Sequence, residues 1–173
     1  MIAAFRIAAL VFVAAMFQAV VFSSVIVLGG APDVLLVTLI SIALLRGSIA
    51  GAAAGFVGGL ILDVATLGTM GVTALLLTLA GYWAGRYGET TGRDRAHAPL
   101  LAVVVITLLV GLGSYFVYFL LGEDISARVA LVTALLPSLL LNLIVAVPIY
   151  ALCRWFIGPT EPKQRAEEVE LVV

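Results

Sequence analysis

The sequence predicts an all-α integral membrane protein, folded as a six-helix transmembrane bundle. Its 173 residues are 64% hydrophobic and only 11% charged, and the mean hydropathy is +1.25. A water-soluble domain cannot bury that much apolar surface, whereas a lipid bilayer accommodates it. In addition, nearly all charged residues lie between long apolar segments rather than inside them.

Six apolar segments define the expected helices. The first, fifth and sixth reach the roughly 20 residues that cross a bilayer. The second, third and fourth are shorter, so they must use flanking residues, thin the membrane locally or lie buried among longer neighbours. Sequence alone does not distinguish two short spans from a re-entrant hairpin for segments two and three. The segments are Ile7–Leu28, Val34–Leu45, Ile49–Leu62, Val72–Ala84, Leu100–Leu121 and Val129–Trp155.

The residues between the segments fit helix ends and turns. Arg6 precedes an apolar stretch that is too long for the core of a signal peptide, so we expect an uncleaved first span. Asp33 opens the second segment, Gly47 separates it from the third, and Thr66–Gly71 forms a turn before the fourth.

The basic residues predict the orientation. With six spans and a cytoplasmic N-terminus, all but one of the nine lysine and arginine residues fall on the inner side, which is a strong positive-inside bias. A five-span arrangement would instead place Arg46 in the middle of the membrane, at a cost of several kcal/mol. We therefore expect both termini inside. The inner residues are Arg6, Arg46, Arg86, Arg93, Arg95, Arg154, Lys163 and Arg165, and Arg128 alone lies outside.

This arrangement predicts one membrane domain and a short tail. Residues 1–157 form the six-span domain, and residues 158–173 are polar and glutamate-rich, as expected of a disordered cytoplasmic end. The outer side collects four acidic residues, which are Asp33, Asp63, Glu123 and Asp124.

Glycines recur every fourth residue through the third segment. On a helix this spacing makes a shallow groove that lets another backbone approach closely. Packing inside the bundle and contact with another chain are both compatible with the pattern. The series is Gly47, Gly51, Gly55 and Gly59, with Asp63 in the next place, and Gly81 and Gly85 repeat the theme in segment four.

Two outer carboxylates, Asp63 and Asp33, are candidate functional residues. Asp63 is either a functional group at membrane depth, where a carboxylate must be paired or wetted, or a solvated residue that begins an external loop. Asp33 has the position of a helix cap. If segments two and three form a hairpin, both carboxylates return to one edge, where Arg128 could neutralise either, although Asp124 is its nearer partner.

The sixth segment carries polar residues between two prolines. Pro137 and Pro148 each free a backbone carbonyl and can kink the helix. Ser138 and Asn142 lie one turn apart on the same face, where they are suited to hydrogen bonding with another helix.

The sequence carries no sign of an enzyme, a cofactor or a metal site. Cys153 is the single cysteine, and His97 is the single histidine. No Ser/His/Asp set, phosphate-binding glycine loop or paired intramembrane carboxylates are apparent. No basic stretch with aromatic residues indicates nucleic-acid binding.

The stretch from Ala31 to Gly85 resembles the MreD family of rod shape-determining proteins. The resemblance lies in four motifs in the same order, A-P-D-V-L-L-V, A-L-L-R-G, G-F-V-G-G-L-I-L-D-V and L-G-T-M-G-V-T-A-L-L-L-T-L-A-G-Y. It covers about a third of the chain. The residues that discriminate it from generic membrane sequence are Pro32, Asp33, Arg46, Gly59, Asp63, Gly68, Gly71 and Gly81.

The resemblance implies a non-enzymatic component of the wall-elongation machinery in the bacterial cytoplasmic membrane. Such proteins pair with the bitopic protein MreC, which links them to MreB, the glycosyltransferase RodA and a class B penicillin-binding protein. A homodimer is also left open, as is a lipid between the helices.

The family's bundle is thought to be similar to the substrate-binding subunits of energy-coupling-factor vitamin transporters, which supplies an alternative function. A small-molecule site would need aromatic and polar side chains near the outer mouth. The outer end of segment five offers one such cluster, and an interfacial aromatic belt would have the same composition. The cluster is Tyr115, Phe116, Tyr118 and Phe119.

Overall fold

A computed structural model of the chain describes residues 2–22, 30–91, 98–122 and 134–158. Within these ranges the regular structure is helical, and the all-α prediction is confirmed. A π-helical turn, Gln18–Phe22, continues the first helix. The described residues contain six α-helices, which are α1 Ile2–Phe17, α2 Val34–Arg46, α3 Ser48–Thr66, α4 Val72–Thr91, α5 Ala98–Leu120 and α6 Leu136–Ile157.

Helix α2 forms the centre of the bundle. It contacts each of the other five helices, and every residue from Leu35 to Leu45 is buried. A helix that is apolar all round is typical of a protein core or of a membrane span, and here the neighbouring helices cover it. At 13 residues and 1.5 Å per residue, it is roughly 20 Å long, which is shorter than a hydrocarbon core of about 30 Å. Of the alternatives for the second segment, burial among longer helices is therefore the observed one.

Helix α4 runs farther than its apolar segment predicts. The segment ends at Ala84, whereas the helix continues to Thr91. The extra turns are stabilised by tertiary contacts that hydropathy does not reveal. The side chain of Glu89 accepts hydrogen bonds from the backbone N–H and the hydroxyl of Ser48, at 2.8 and 3.0 Å.

Within the described residues, three helices are long and apolar enough to cross a membrane, namely α3 with 19 residues, α5 with 23 and α6 with 22. The prediction that the third segment is short was therefore wrong, because its helix extends to include Ser48 and Thr66. The number of spans and their orientation remain predictions.

Several sequence predictions fall outside the described residues. These are the end of the first segment, the start of the sixth, the basic loop with Arg93, Arg95 and His97, the outer residues Glu123, Asp124 and Arg128, and the tail from residue 159.

Candidate functional site

Glycines bring α3 and α4 into backbone contact. A Cβ atom at Gly51 would meet the carbonyl of Gly81, and one at Gly55 would meet the carbonyl of Leu77. At Gly59 it would meet the backbone of Ala74. The structure thus places this glycine series between two helices of the same chain, where a larger side chain has no room.

The same contact continues to the start of α3. Gly85 lies against the backbone of Gly47 and Ser48. Gly47 begins the glycine series in the sequence, but its role in the structure is different. Its φ of 96° lies in the left-handed region, which glycine tolerates without strain, and it makes the turn from α2 into α3.

Asp63 caps α4 from the preceding helix. Its carboxylate accepts hydrogen bonds from the backbone N–H groups of Gly71 at 2.8 Å, Thr73 at 3.3 Å and Ala74 at 3.3 Å. The first amides of a helix have no partner within it, so an acceptor from outside stabilises the helix start. Asp63 is only 3% exposed. The interpretation of Asp63 as a solvated loop carboxylate was therefore wrong, because the turn folds back over it.

A chain of hydrogen bonds connects the start of α2 to α5 and α6. Asp33 caps α2 by accepting from the N–H of Leu36 at 2.9 Å. The Asn142 side chain accepts from the N–H of Asp33 at 2.6 Å and donates to the Thr107 hydroxyl at 3.2 Å. Because Asn142 is only 1% exposed, these partners satisfy polar groups that would otherwise be costly to bury.

Gln18 and Ser138 complete this polar cluster. The side chain of Gln18 accepts from the N–H of Val34 at 2.8 Å and donates to the carbonyl of Pro32 at 3.3 Å. The hydroxyl of Ser138 accepts from the N–H of Ala31 at 3.2 Å. We refer to Gln18, Asp33, Thr107, Ser138 and Asn142 as the polar cluster, and to this part of the bundle as the Asp33 end.

The opposite part of the bundle, the Arg46 end, contains arginines that contact the end of α6. Arg46 donates to the carbonyl of Ile157 at 2.8 Å, and Arg6 donates to that of Phe156 at 3.4 Å. Cations at a helix C-terminus stabilise its unpaired carbonyls. Among the described residues, the buried Arg46 Nε has no hydrogen-bond partner.

A cavity of about 470 Å³ lies at the Asp33 end. The polar cluster, Ser114, Tyr115 and Tyr118 are among the residues that line it. Of the four aromatic residues predicted from sequence, two therefore face the cavity, while Phe116 and Phe119 are 61% and 62% exposed. Within the described ranges, no three His, Cys, Asp or Glu residues are grouped to hold a metal ion.

The sequence-based search missed three residues that connect elements, Gln18, Thr107 and Glu89. Gln18 had a detectable signal, because a lone amide inside a long apolar segment is costly unless it finds a partner. Thr107 is compatible with any membrane helix. Glu89 lies beyond the apolar part of α4, where a carboxylate is ordinary.

Comparison with known proteins places the chain in a family. The family model described as rod shape-determining protein MreD matches residues 1–158. The cell shape-determining protein MreD of Streptococcus pneumoniae (strain ATCC BAA-255 / R6) is 33% identical over 88 residues, which are 50% of this chain and 53% of the relative. The alignment thus spans about half the length of that relative. No solved structure matches. Because the family model covers every described residue and most of the chain, the chain belongs to the MreD family of rod shape-determining proteins.

Proposed function

We propose that this protein is a non-enzymatic structural component of the rod elongation machinery in the bacterial cytoplasmic membrane, supporting lateral peptidoglycan synthesis. The observation that carries the proposal is the family match over residues 1–158. The use of polar groups is consistent with it. Asp63 and Asp33 cap helices, and Arg46 contacts the end of another, which are structural roles.

In this proposal the bundle crosses the membrane with both termini inside. The described arginines support that orientation, because Arg6 and Arg46 contact the end of α6, Arg154 lies in its last turn, and Arg86 is one residue from Gly85 at the turn into α3. All four thus gather at the Arg46 end. A cytoplasmic Arg46 end satisfies the positive-inside rule.

The proposed partner is MreC, bound in the plane of the membrane, with MreB, RodA and a class B penicillin-binding protein reached through it. The glycine contact favours an outer helix face for this purpose, since the small-residue faces of α3 and α4 are occupied by each other. Large apolar side chains remain exposed on the outside of α3, including Phe56 and Val57. Such side chains contact either lipid or the helix of a partner. A homodimer would use the same kind of surface.

Depletion and complementation in the native bacterium test this function. Loss of the protein should turn rods into wide or round cells, and the wild-type chain should restore rods. A tagged chain in mild detergent should retain MreC. Unchanged rods after depletion, or purification without any wall-synthesis protein, would contradict the proposal.

The alternative, a vitamin-transporter subunit, is supported only by the cavity at the Asp33 end. The same purification separates the two functions. Retention of a transporter ATPase module in place of MreC would favour the alternative.

A further inference from the structure

The cavity at the Asp33 end has the size and composition of a ligand site. Its volume of about 470 Å³ falls within the roughly 300–1,000 Å³ of small-molecule sites. Its wall combines apolar side chains, such as Leu36 and Val110, with convergent polar ones from the π-helical turn after α1 and from α5 and α6. Ligand sites typically pair such apolar walls with a few placed polar groups.

Both amide side chains of the polar cluster are already hydrogen-bonded within the protein, whereas its carboxylate has an oxygen to offer a ligand. The side chains of Gln18 and Asn142 are held by backbone groups and by Thr107. The Asp33 carboxylate is different. From the described residues, it receives a hydrogen bond through Oδ1 alone, from Leu36. Among the described residues, nothing donates to its second oxygen, which we take as the acceptor for a hydrogen-bond donor in the cavity.

The charge of the cavity wall favours a cation. In the described part of the lining, Asp33 is the acidic residue and there is no lysine or arginine. A carboxylate at membrane depth is costly unless it is paired. Tyr115 and Tyr118 line the same cavity, and aromatic ring faces attract ammonium groups. A group that offers both positive charge and N–H donors fits all of these features.

We infer that this cavity binds a primary ammonium group, with the Asp33 carboxylate as counter-ion and Tyr115 and Tyr118 beside it. The ammonium belongs either to the headgroup of phosphatidylethanolamine, entering from the bilayer, or to a small free amine. Both sources present the same chemistry. The inference goes beyond the proposed function and does not depend on MreC binding.

Lipid retention measured by native mass spectrometry tests the site. The full chain, purified in detergent, is incubated with phosphatidylethanolamine or with phosphatidylglycerol, which lacks the ammonium. Wild type should retain phosphatidylethanolamine preferentially, and Asp33→Asn should lower that retention about tenfold, the usual scale for losing a charged hydrogen bond. Asparagine caps helices as well as aspartate does, so α2 should remain folded.

A matched pair of variants on α5 keeps the test informative if Asp33→Asn does not fold. Tyr115→Leu removes a cavity wall and should reduce retention several-fold. Phe116→Leu, at the next position but 61% exposed, should not change it.

Competition identifies the source of the ammonium. The site accepts a free amine if millimolar ethanolamine displaces the lipid and also raises the melting temperature of the lipid-free protein. If ethanolamine does neither while phosphatidylethanolamine is retained, the lipid headgroup is the ligand. The inference is overturned if wild type retains both lipids equally and ethanolamine has no effect. It also fails if retention is unchanged in folded Asp33→Asn.

Discussion

The α3–α4 pair and the α5–α6 pair are both antiparallel and both pack on α2, but they are closed by different chemistry. Between α3 and α4, glycines bring backbone against backbone. Between α5 and α6, polar side chains such as Thr107 and Asn142 meet, and the cavity opens beside them. One pair is closed by glycine backbones, and the other is joined by polar side chains beside a cavity.

This difference suggests that the α3–α4 pair is a rigid scaffold and that the α5–α6 pair can form a binding site. Backbone contact through glycine leaves no side-chain freedom, so the α3–α4 pair tolerates little change. A polar contact next to a cavity can accept a ligand or a small change in volume without loss of the fold. We therefore expect substitutions in the two pairs to differ in their effect on stability, and the following predictions are ordered from the largest effect to the smallest.

The largest effect is expected for leucine at Gly55 or Gly59. The new side chain would meet the backbone of Leu77 or Ala74, which cannot move without separating the helices. Overpacking costs typically 1–3 kcal/mol and more where the backbone is the obstacle, so we expect about 3 kcal/mol or complete loss of folded protein. Thermal unfolding in detergent measures it, and failure to fold would abolish both rod morphology and MreC retention.

Ala53→Leu is the control, because Ala53 lies on the exposed face of the same helix. It should leave stability within about 0.5 kcal/mol of wild type. Equal stability of Gly55→Leu, Gly59→Leu and Ala53→Leu, with normal rods in each, would show that the glycine contact does not close this pair.

Asp63→Ala should have the next largest effect. It leaves three amide groups at the start of α4 without their acceptor, at an expected cost of about 2 to 3 kcal/mol. Asp63→Asn keeps one acceptor oxygen and should lose about half as much. Chemical unfolding in mixed micelles compares the two variants. If Asp63→Ala is as stable as wild type, the helix cap is not needed for folding. If Asp63→Asn is as stable as wild type but does not support rod shape, Asp63 has a functional role beyond capping.

A smaller effect is expected at the contact between α5 and α6. Asn142→Leu leaves the Asp33 N–H without its acceptor and should cost about 1 to 2 kcal/mol. Hydrogen bonds between membrane helices are individually weak, with coupling energies averaging about 0.6 kcal/mol. A double-mutant cycle with Thr107→Val should give a coupling of that size. Strict additivity of the two substitutions would indicate that their hydrogen bond contributes nothing.

The sequence predicted the helices well because apolar length and turn residues are local properties. Gly47 and the turn before Val72 both fall at observed helix boundaries. The packing of the glycine series was also among the alternatives, since its spacing defines a groove. Whether a helix of the same chain or of another chain fills the groove depends on tertiary structure, so the sequence left both possibilities open.

The polar groups were harder to predict because their partners are distant in sequence. Asn142 meets Asp33 across 109 positions, and no spacing rule links them. For Asp63, the position was recognised but its role was not, because the capped amides become neighbours only after the turn closes. The cavity likewise requires four elements to converge. The sequence therefore did not distinguish Tyr115, which lines the cavity, from Phe116, which is exposed.

The most direct test of the comparison introduces the same side chain into both pairs. Gly55→Leu places leucine between backbones, whereas Ser114→Leu places it in the wall of the cavity. Thermal unfolding of the two purified variants is measured side by side in one detergent. Gly55→Leu should be severely destabilised, whereas the free energy of unfolding of Ser114→Leu should stay within about 0.5 kcal/mol of wild type. Equal destabilisation of both variants would contradict the view that α3 and α4 are in backbone contact while the α5–α6 pair has room for a larger side chain.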